Sequence, residues 1–251
     1  MSEMKRMLSF VRRAVDDYHM IEEGDRIAVG ISGGKDSLTL LSVLVALSHF
    51  YPKHFEVVGI TVDMGFPEAD FSEIETFCRD LGVEYRIVKT EIAKLIFEVR
   101  REKNPCSLCA KMRRGTLHSA AVGLGCNKVA LGHHYDDAVE TFMLNLFYEG
   151  RLGCFSPVTY LSRRNLTLIR PLLYAQEKDV RYFTRRQALP VMKSPCPEDH
   201  ATERENMKLF LAGLEQKNKG LKHRIFHAMC KGKIDGFEEK GRYPDAGEPE
   251  E

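Results

Sequence analysis

The sequence has no apolar run long enough to cross a bilayer. Its longest, Leu38 to Leu47, is interrupted by Thr39 and Ser42 and falls well short of the ~20 residues a spanning helix needs. It also lacks a leader pattern, because the opening MSEMKRMLSFVRRAVDDYHM mixes acids and bases where a signal peptide is continuously apolar. These two absences predict a cytoplasmic protein that does not span a membrane. Glycine and proline, 19 and 10 of 251 residues, show neither collagen-like nor low-complexity excess, and no internal repeat is present. Neither sign of charge dominates, with 37 Lys and Arg against 36 Asp and Glu, for a net charge of +1. That balance conceals an asymmetry: residues 234–251 hold seven acids and two bases, leaving residues 1–233 at +6. A basic body is compatible with a polyanionic partner. Seven cysteines, an odd number, read in a reducing compartment as metal ligands, reactive thiols or core filler rather than disulfides.

What is present alternates between strand and helix. Met4, Leu8, Val11, Val15 and Tyr18 recur at helical spacing, so residues 1–23 are expected to form an N-terminal helix packed on the main domain. From residue 24 to 190 strand-like runs (26–31, 56–62, 84–89, 128–131, 166–169) are separated by helical stretches (35–50, 71–81, 109–124, 136–148, 176–188). This pattern predicts an α/β fold: a parallel sheet covered by helices on both faces. Residues 191–230 are expected to provide a loop and one long helix from about Ala201 to Met229, and 231–251 an acidic, disordered tail.

The sharpest motif is Ser32-Gly33-Gly34-Lys35-Asp36-Ser37, between the first strand and its helix. Glycines there admit phosphates to the backbone, and the helix start offers free N–H groups and partial positive charge. It is not a Walker A loop, since position 29 is Val29 and Lys35 is followed by Asp36. A second loop, Gly132-His133-His134-Tyr135-Asp136-Asp137, again follows a strand. Its adjacent carboxylates suit magnesium or the positioning of a nucleophile, although Asp136 alone could simply cap the helix that begins there. Cys106-Ser107-Leu108-Cys109 is open to zinc, thiol redox or iron-sulfur chemistry. Structural zinc is disfavoured, because no second CxxC or HxxxH stands at finger spacing. Cys196, between Pro195 and Pro197, is a candidate third ligand; Cys78, Cys126 and Cys230 read as apolar filler, and Cys154 is open.

SGGKDS resembles the PP-loop of the ATP pyrophosphatases, which cleave ATP between the α and β phosphates to adenylate a substrate oxygen. With MIEEGDRI, CSLCAKMRRG, ALGHHYDDAVETFMLNLFYEG, RPLLYAQEKDV and the cysteine of SPCPEDH, most of residues 1–229 is similar to one branch of that family, the tRNA 2-thiocytidine synthetases. The resemblance implies a Rossmann-like PP-loop fold with N- and C-terminal helical extensions. It implies ATP held by Ile31, Ser32, Gly33, Gly34, Lys35, Asp36 and Ser37, by Val62 and Asp63 at the end of the second strand, and by Gly132, His133 and Asp137. Lys35, Asp36, Asp137 and Cys109 are then the residues of catalysis, and Cys106, Cys109 and Cys196 the ligands of a 4Fe-4S cluster. Magnesium, a tRNA substrate, a cysteine desulfurase or other sulfur donor, and a homodimer complete the implied picture. The setting of Cys196 and the short acidic C-terminus depart from many members. A thiolase acting on uridine, an amidating PP-loop ligase and a noncatalytic iron-sulfur RNA-binding module are the alternatives; the ligase leaves the three cysteines without a role.

Overall fold

A computed structural model describes residues 3–100, 105–193, 195–196 and 203–239. Helix α1 (Glu3–Asp17) precedes β1 (Asp25–Gly30), α2 (Lys35–Ser48), β2 (Phe55–Asp63), α3 (Ser72–Asp80) and β3 (Glu84–Lys89). A short α4 (Ile92–Lys94) runs on as a π-helical turn to Arg100. Then come α5 (Pro105–Gly123), β4 (Lys128–Ala130), α6 (Tyr135–Tyr148), β5 (Val158–Leu161), β6 (Leu166–Ile169), α7 (Glu177–Arg186), α8 (Glu203–Lys217) and α9 (Leu221–Lys231). The six strands form one sheet in the order β3-β2-β1-β4-β6-β5. All neighbours are parallel except β5, which returns antiparallel against β6 at the edge. The predicted α/β architecture is therefore present, with an antiparallel edge strand that its short length hid in the sequence.

Alternation along β1 divides the core. Ile27 and Val29 join a large apolar cluster with the stretch Leu38–Leu47 of α2, buried throughout except at Ala46, whereas Ala28 belongs to a second cluster under Leu117 and Ala121 of α5. Both faces of the sheet are thus covered, which explains why its central strands read as continuous hydrophobic runs. The order of strands reverses between β1 and β4, and ligands in such sheets bind beyond the carboxyl ends of the strands at that reversal.

Three expectations need correction. Helix α5 begins at Pro105, not Cys109; proline suits the first helical position because its missing N–H has no helical partner there. The long C-terminal helix is two helices, broken at Gly220, which takes φ +79°. There the Glu215 carboxylate accepts from the N–H groups of Gly220 (2.6 Å) and Lys222 (2.9 Å) and tightens the turn. The segment after Lys231 is also structured at its start: a 3-10 turn (Ile234–Gly236) delivers Phe237, 0% exposed, edge-on to Phe226 at 5.6 Å. One buried aromatic outweighs the polar character that made this stretch read as tail; residues 240–251 lie outside the described residues. Phe237→Ala should cost about 3–5 kcal/mol and lower the urea midpoint. An unchanged midpoint contradicts this packing role.

Candidate functional site

The first loop leaves β1 beside β2: Ile31 donates its N–H to Ile60 O (2.8 Å), and Thr61 Oγ1 donates to Ile31 O (3.0 Å). Gly33 adopts φ +82°, and Ser37 Oγ both donates to Gly34 O (2.9 Å) and accepts from Ser32 N (3.2 Å). Serine side chains thus brace the turn internally. No side chain caps α2 at Gly34, so the first N–H groups of the helix face outward for an anion.

The second loop lies directly against the first. A Cβ on Gly132 would stand 3.1 Å from the Asp36 carbonyl carbon and 3.2 Å from Ser37 N, so this approach requires glycine. His134 then caps α6 in a reciprocal box: Asp137 N donates to His134 Nδ1 (3.4 Å) and His134 N donates to Asp137 Oδ2 (2.9 Å). The other imidazole nitrogen of His134 stands 3.7 Å from Asp36 Oδ1. Burial works against the Asp137 anion, but His134 and Arg204 outweigh it and hold the carboxyl below its usual range. Asp63 ends β2 on the same rim, its Oδ1 accepting from Gly65 N (2.9 Å), with half-buried Val62 beside it.

The predicted nucleotide residues therefore share one edge, except the ring of His133. It stacks on Phe155 (centroids 4.8 Å apart), its Nδ1 has no partner, and burial lowers its pKa to about 4. His134 is the histidine in contact with Asp36 and Asp137. Asp136 does not cap its own helix: Oδ2 accepts from Glu177 N (2.8 Å) at the start of α7, and Oδ1 meets Lys222 Nζ at 2.6 Å.

Lys35 Nζ lies 2.9 Å from Asp36 Oδ2 and 3.3 Å from Glu177 Oε1. Burial opposes its charge, but the two carboxylates prevail and raise its pKa. Glu177, also against burial, is lowered to about 2 by Lys208, Arg181 and Lys35. Arg204 meets Asp137 at 3.2 Å and Thr141 Oγ1 at 3.1 Å. Three cations of the C-terminal helices, Arg204, Lys208 and Lys222, thus each engage an acid of this edge.

A PP-loop domain model matches residues 5–213. The chain is 41% identical to the tRNA-cytidine(32) 2-sulfurtransferase of Syntrophotalea carbinolica over 220 residues, 86% of this chain and 85% of that one. It is 40% identical to the same enzyme of Geobacter sulfurreducens over 228 residues, 90% and 89% of the two chains. The chain belongs to the tRNA-cytidine 2-sulfurtransferase family of PP-loop enzymes. Among solved structures, the U34-tRNA thiolase NcsA from Methanococcus maripaludis with its 4Fe-4S cluster matches with a TM-score of 0.74 and 26% identity, covering 90% of this chain and 77% of that one.

In this sulfurtransferase-family chain Cys106 is exposed and Cys109 half-buried one turn on, the i,i+3 spacing that puts both on one face of α5. Burial raises the Cys109 thiol pKa; Arg113 opposes the rise, while Cys196 and Cys106 add to it. Cys109 therefore feels both other thiols, although 87 positions separate it from Cys196. Among the described residues no three donors close on a single metal ion. A cubane cluster asks for a looser set, since each cysteine binds a different iron. The donor set fits it: three soft thiols, with no protein group required at the fourth iron. The Cys196 segment is tied to the nucleotide loop, because Met192 N donates to Gly33 O (3.0 Å) and a Cβ on Gly33 would touch the Met192 side chain at 3.1 Å. Cys78, Cys126 and Cys230 are buried, as expected of filler; Cys154, half-buried, donates from Sγ to Ala138 O (3.4 Å).

Sequence reasoning missed Glu177, Arg204, Lys208 and Met192. The one available signal was the helical i,i+4 spacing of Arg204 and Lys208; nothing local marks Met192. It also missed Glu140, 3% exposed on α6, whose pKa is pushed up to about 7 by burial and by Asp137. A carboxyl raised from its ordinary 4.5 destabilises the fold increasingly as pH climbs from about 4.5 to 7, reaching roughly 3 kcal/mol above that window. Glu140→Gln should therefore raise the melting temperature at pH 8 while changing it little at pH 4; equal effects at both contradict the assignment. Gly132→Ala should separate the two loops and weaken ATP binding about tenfold or more by calorimetry. Wild-type affinity contradicts the close-approach argument.

Proposed function

We propose that this protein thiolates tRNA, converting an anticodon-loop cytidine to 2-thiocytidine with consumption of ATP and release of AMP and pyrophosphate. The observation that carries this reading is Met192 seated on Gly33, which ties the PP-loop to the segment of Cys196, a thiol that in turn acts on Cys109 beside Cys106. An amidating ligase needs the first feature and has no use for the second. Cytidine is favoured over uridine because the cytidine-32 enzymes are about 40% identical over most of their length, against 26% for the uridine thiolase.

ATP lies along the SGGKDS loop, its phosphates on the backbone N–H groups of Gly33 to Ser37 and its nucleoside toward Val62, Asp63 and the backbone of Gly132 and His133. Lys35, kept protonated by Asp36 and Glu177, neutralises charge that grows on the phosphates as the C2 oxygen of the cytidine attacks the α-phosphorus and pyrophosphate leaves. Asp137 stays ionised and, with Asp36, would hold magnesium, which supplies further charge neutralisation when bound. The adenylated oxygen is a good leaving group; a sulfur nucleophile adds at C2 and AMP departs. When bound, a 4Fe-4S cluster on Cys106, Cys109 and Cys196 supplies an iron without a protein ligand where sulfur can be carried. Sulfur reaches it from a cysteine desulfurase or similar donor.

Nucleosides from total tRNA of cells lacking the gene, complemented with wild type or Cys109→Ala, test the reading by mass spectrometry. Loss of 2-thiocytidine restored by wild type alone is expected. Unchanged 2-thiocytidine in the deletion rejects the assignment, and a different missing thionucleoside redirects it to another base.

A further inference from the structure

Two stretches, residues 105–135 and 150–176, contain no Asp or Glu, although the chain has 36 acids. The fold lays parts of them together: the second half of α5 meets the β5–β6 hairpin, where Arg164 NH1 donates to Ser119 Oγ at 2.8 Å. His118, buried on α5 with Nε2 unpartnered, has its pKa lowered by burial and then by the charges of Arg164 and Arg114. Many cations of this protein are paired, as Arg26 with Glu56 and Glu84, Lys53 with Glu22, and Lys128 with Asp25. Among the described residues Lys111, Arg113, Arg114, Arg163 and Arg164 make no salt bridge; all but Arg164 lack any side-chain hydrogen bond as well. Uncompensated positive charge is costly to concentrate, yet Arg163 and Arg164 line one surface hollow with Ser119, and Arg164 and Arg114 both act on the His118 ring.

The position of that surface matters. Strand β6 runs parallel to β4, so the turn Ser162–Arg164 lies at the end of the sheet away from the nucleotide loops. Along α5, Ser119 stands about 20 Å from Cys106, at 1.5 Å per residue. The reacting base cannot be there. Backbone phosphates several nucleotides from it can, and regularly spaced phosphates are what an unpaired row of Arg and Lys recognises.

We infer that Arg114, Arg163 and Arg164, with Ser119, form a phosphate-binding surface for the base-paired stem of the RNA substrate, aligning that stem along α5 while its loop reaches the cysteines. This rests on the tRNA-thiolation reading and adds a docking site remote from it. Recognition is of backbone charge and helical shape rather than base identity. The SRRN turn acts as the far anchor, fixing the angle at which the loop enters.

Filter binding of unfractionated tRNA to the full-length protein and to Arg163→Ala/Arg164→Ala, across a salt series, tests the inference. The double variant should bind about tenfold more weakly near 0.1 M salt and lose about two units of slope in log K against log salt, while ATP affinity is unchanged. A variant with wild-type slope and affinity overturns the inference and leaves this surface to another partner, such as an acidic protein. If the wild-type protein itself binds no tRNA, the thiolation reading falls along with it. Arg163→Lys/Arg164→Lys, which keeps the charge, should restore the slope; failure to do so with normal folding also contradicts charge-based docking.

Discussion

The reactive edge depends on one steric constraint: the loop after β4 must rest on the loop after β1, so closely that a Cβ at residue 132 would press to 3.1 Å from the Asp36 backbone. This contact places His134 at Asp36 and lets Asp137 share a rim with Lys35. The strand order puts both loops at the sheet's point of reversal, where a crevice is unavoidable. A parallel α/β sheet thus supplies the cleft, and a glycine permits its walls to meet.

Charge organises what the glycine permits. Lys35, Asp36, Asp136, Asp137 and Glu177 would be expensive to crowd together if left unpaired. Arg204 and Lys208 on α8 and Lys222 on α9 balance the acids, so the C-terminal helices are as much a part of the site as the loops. Met192 on Gly33 and Arg204 on Asp137 bracket Cys196 in the chain, linking the nucleotide edge to the thiols at two points.

Much of this was legible in the sequence because the decisive features are local. SGGKDS and GHHYDD announce backbone geometry through glycine and helix starts, and the buried strands announce themselves by uninterrupted Val, Ile and Ala. The unread parts depend on distance. Glu177 becomes a partner of Lys35 only when α7 packs beside α2, and the thiols at 109 and 196 become neighbours only through the fold. His133 and His134 look alike in sequence; one ring packs against Phe155, while the other, itself buried, is recruited as a helix cap. Phe237 was overlooked because one apolar residue in a polar stretch carries no periodicity.

The central claim is that adenylation and sulfur insertion occur at one composite site. The most direct measurement is the stoichiometry of a single turnover by the purified, cluster-loaded protein with ATP, sulfide and unmodified tRNA. The account predicts one AMP and one pyrophosphate for each 2-thiocytidine, with no AMP formed when tRNA is omitted. Thionucleoside formed without AMP, or AMP released steadily in the absence of tRNA, would contradict it.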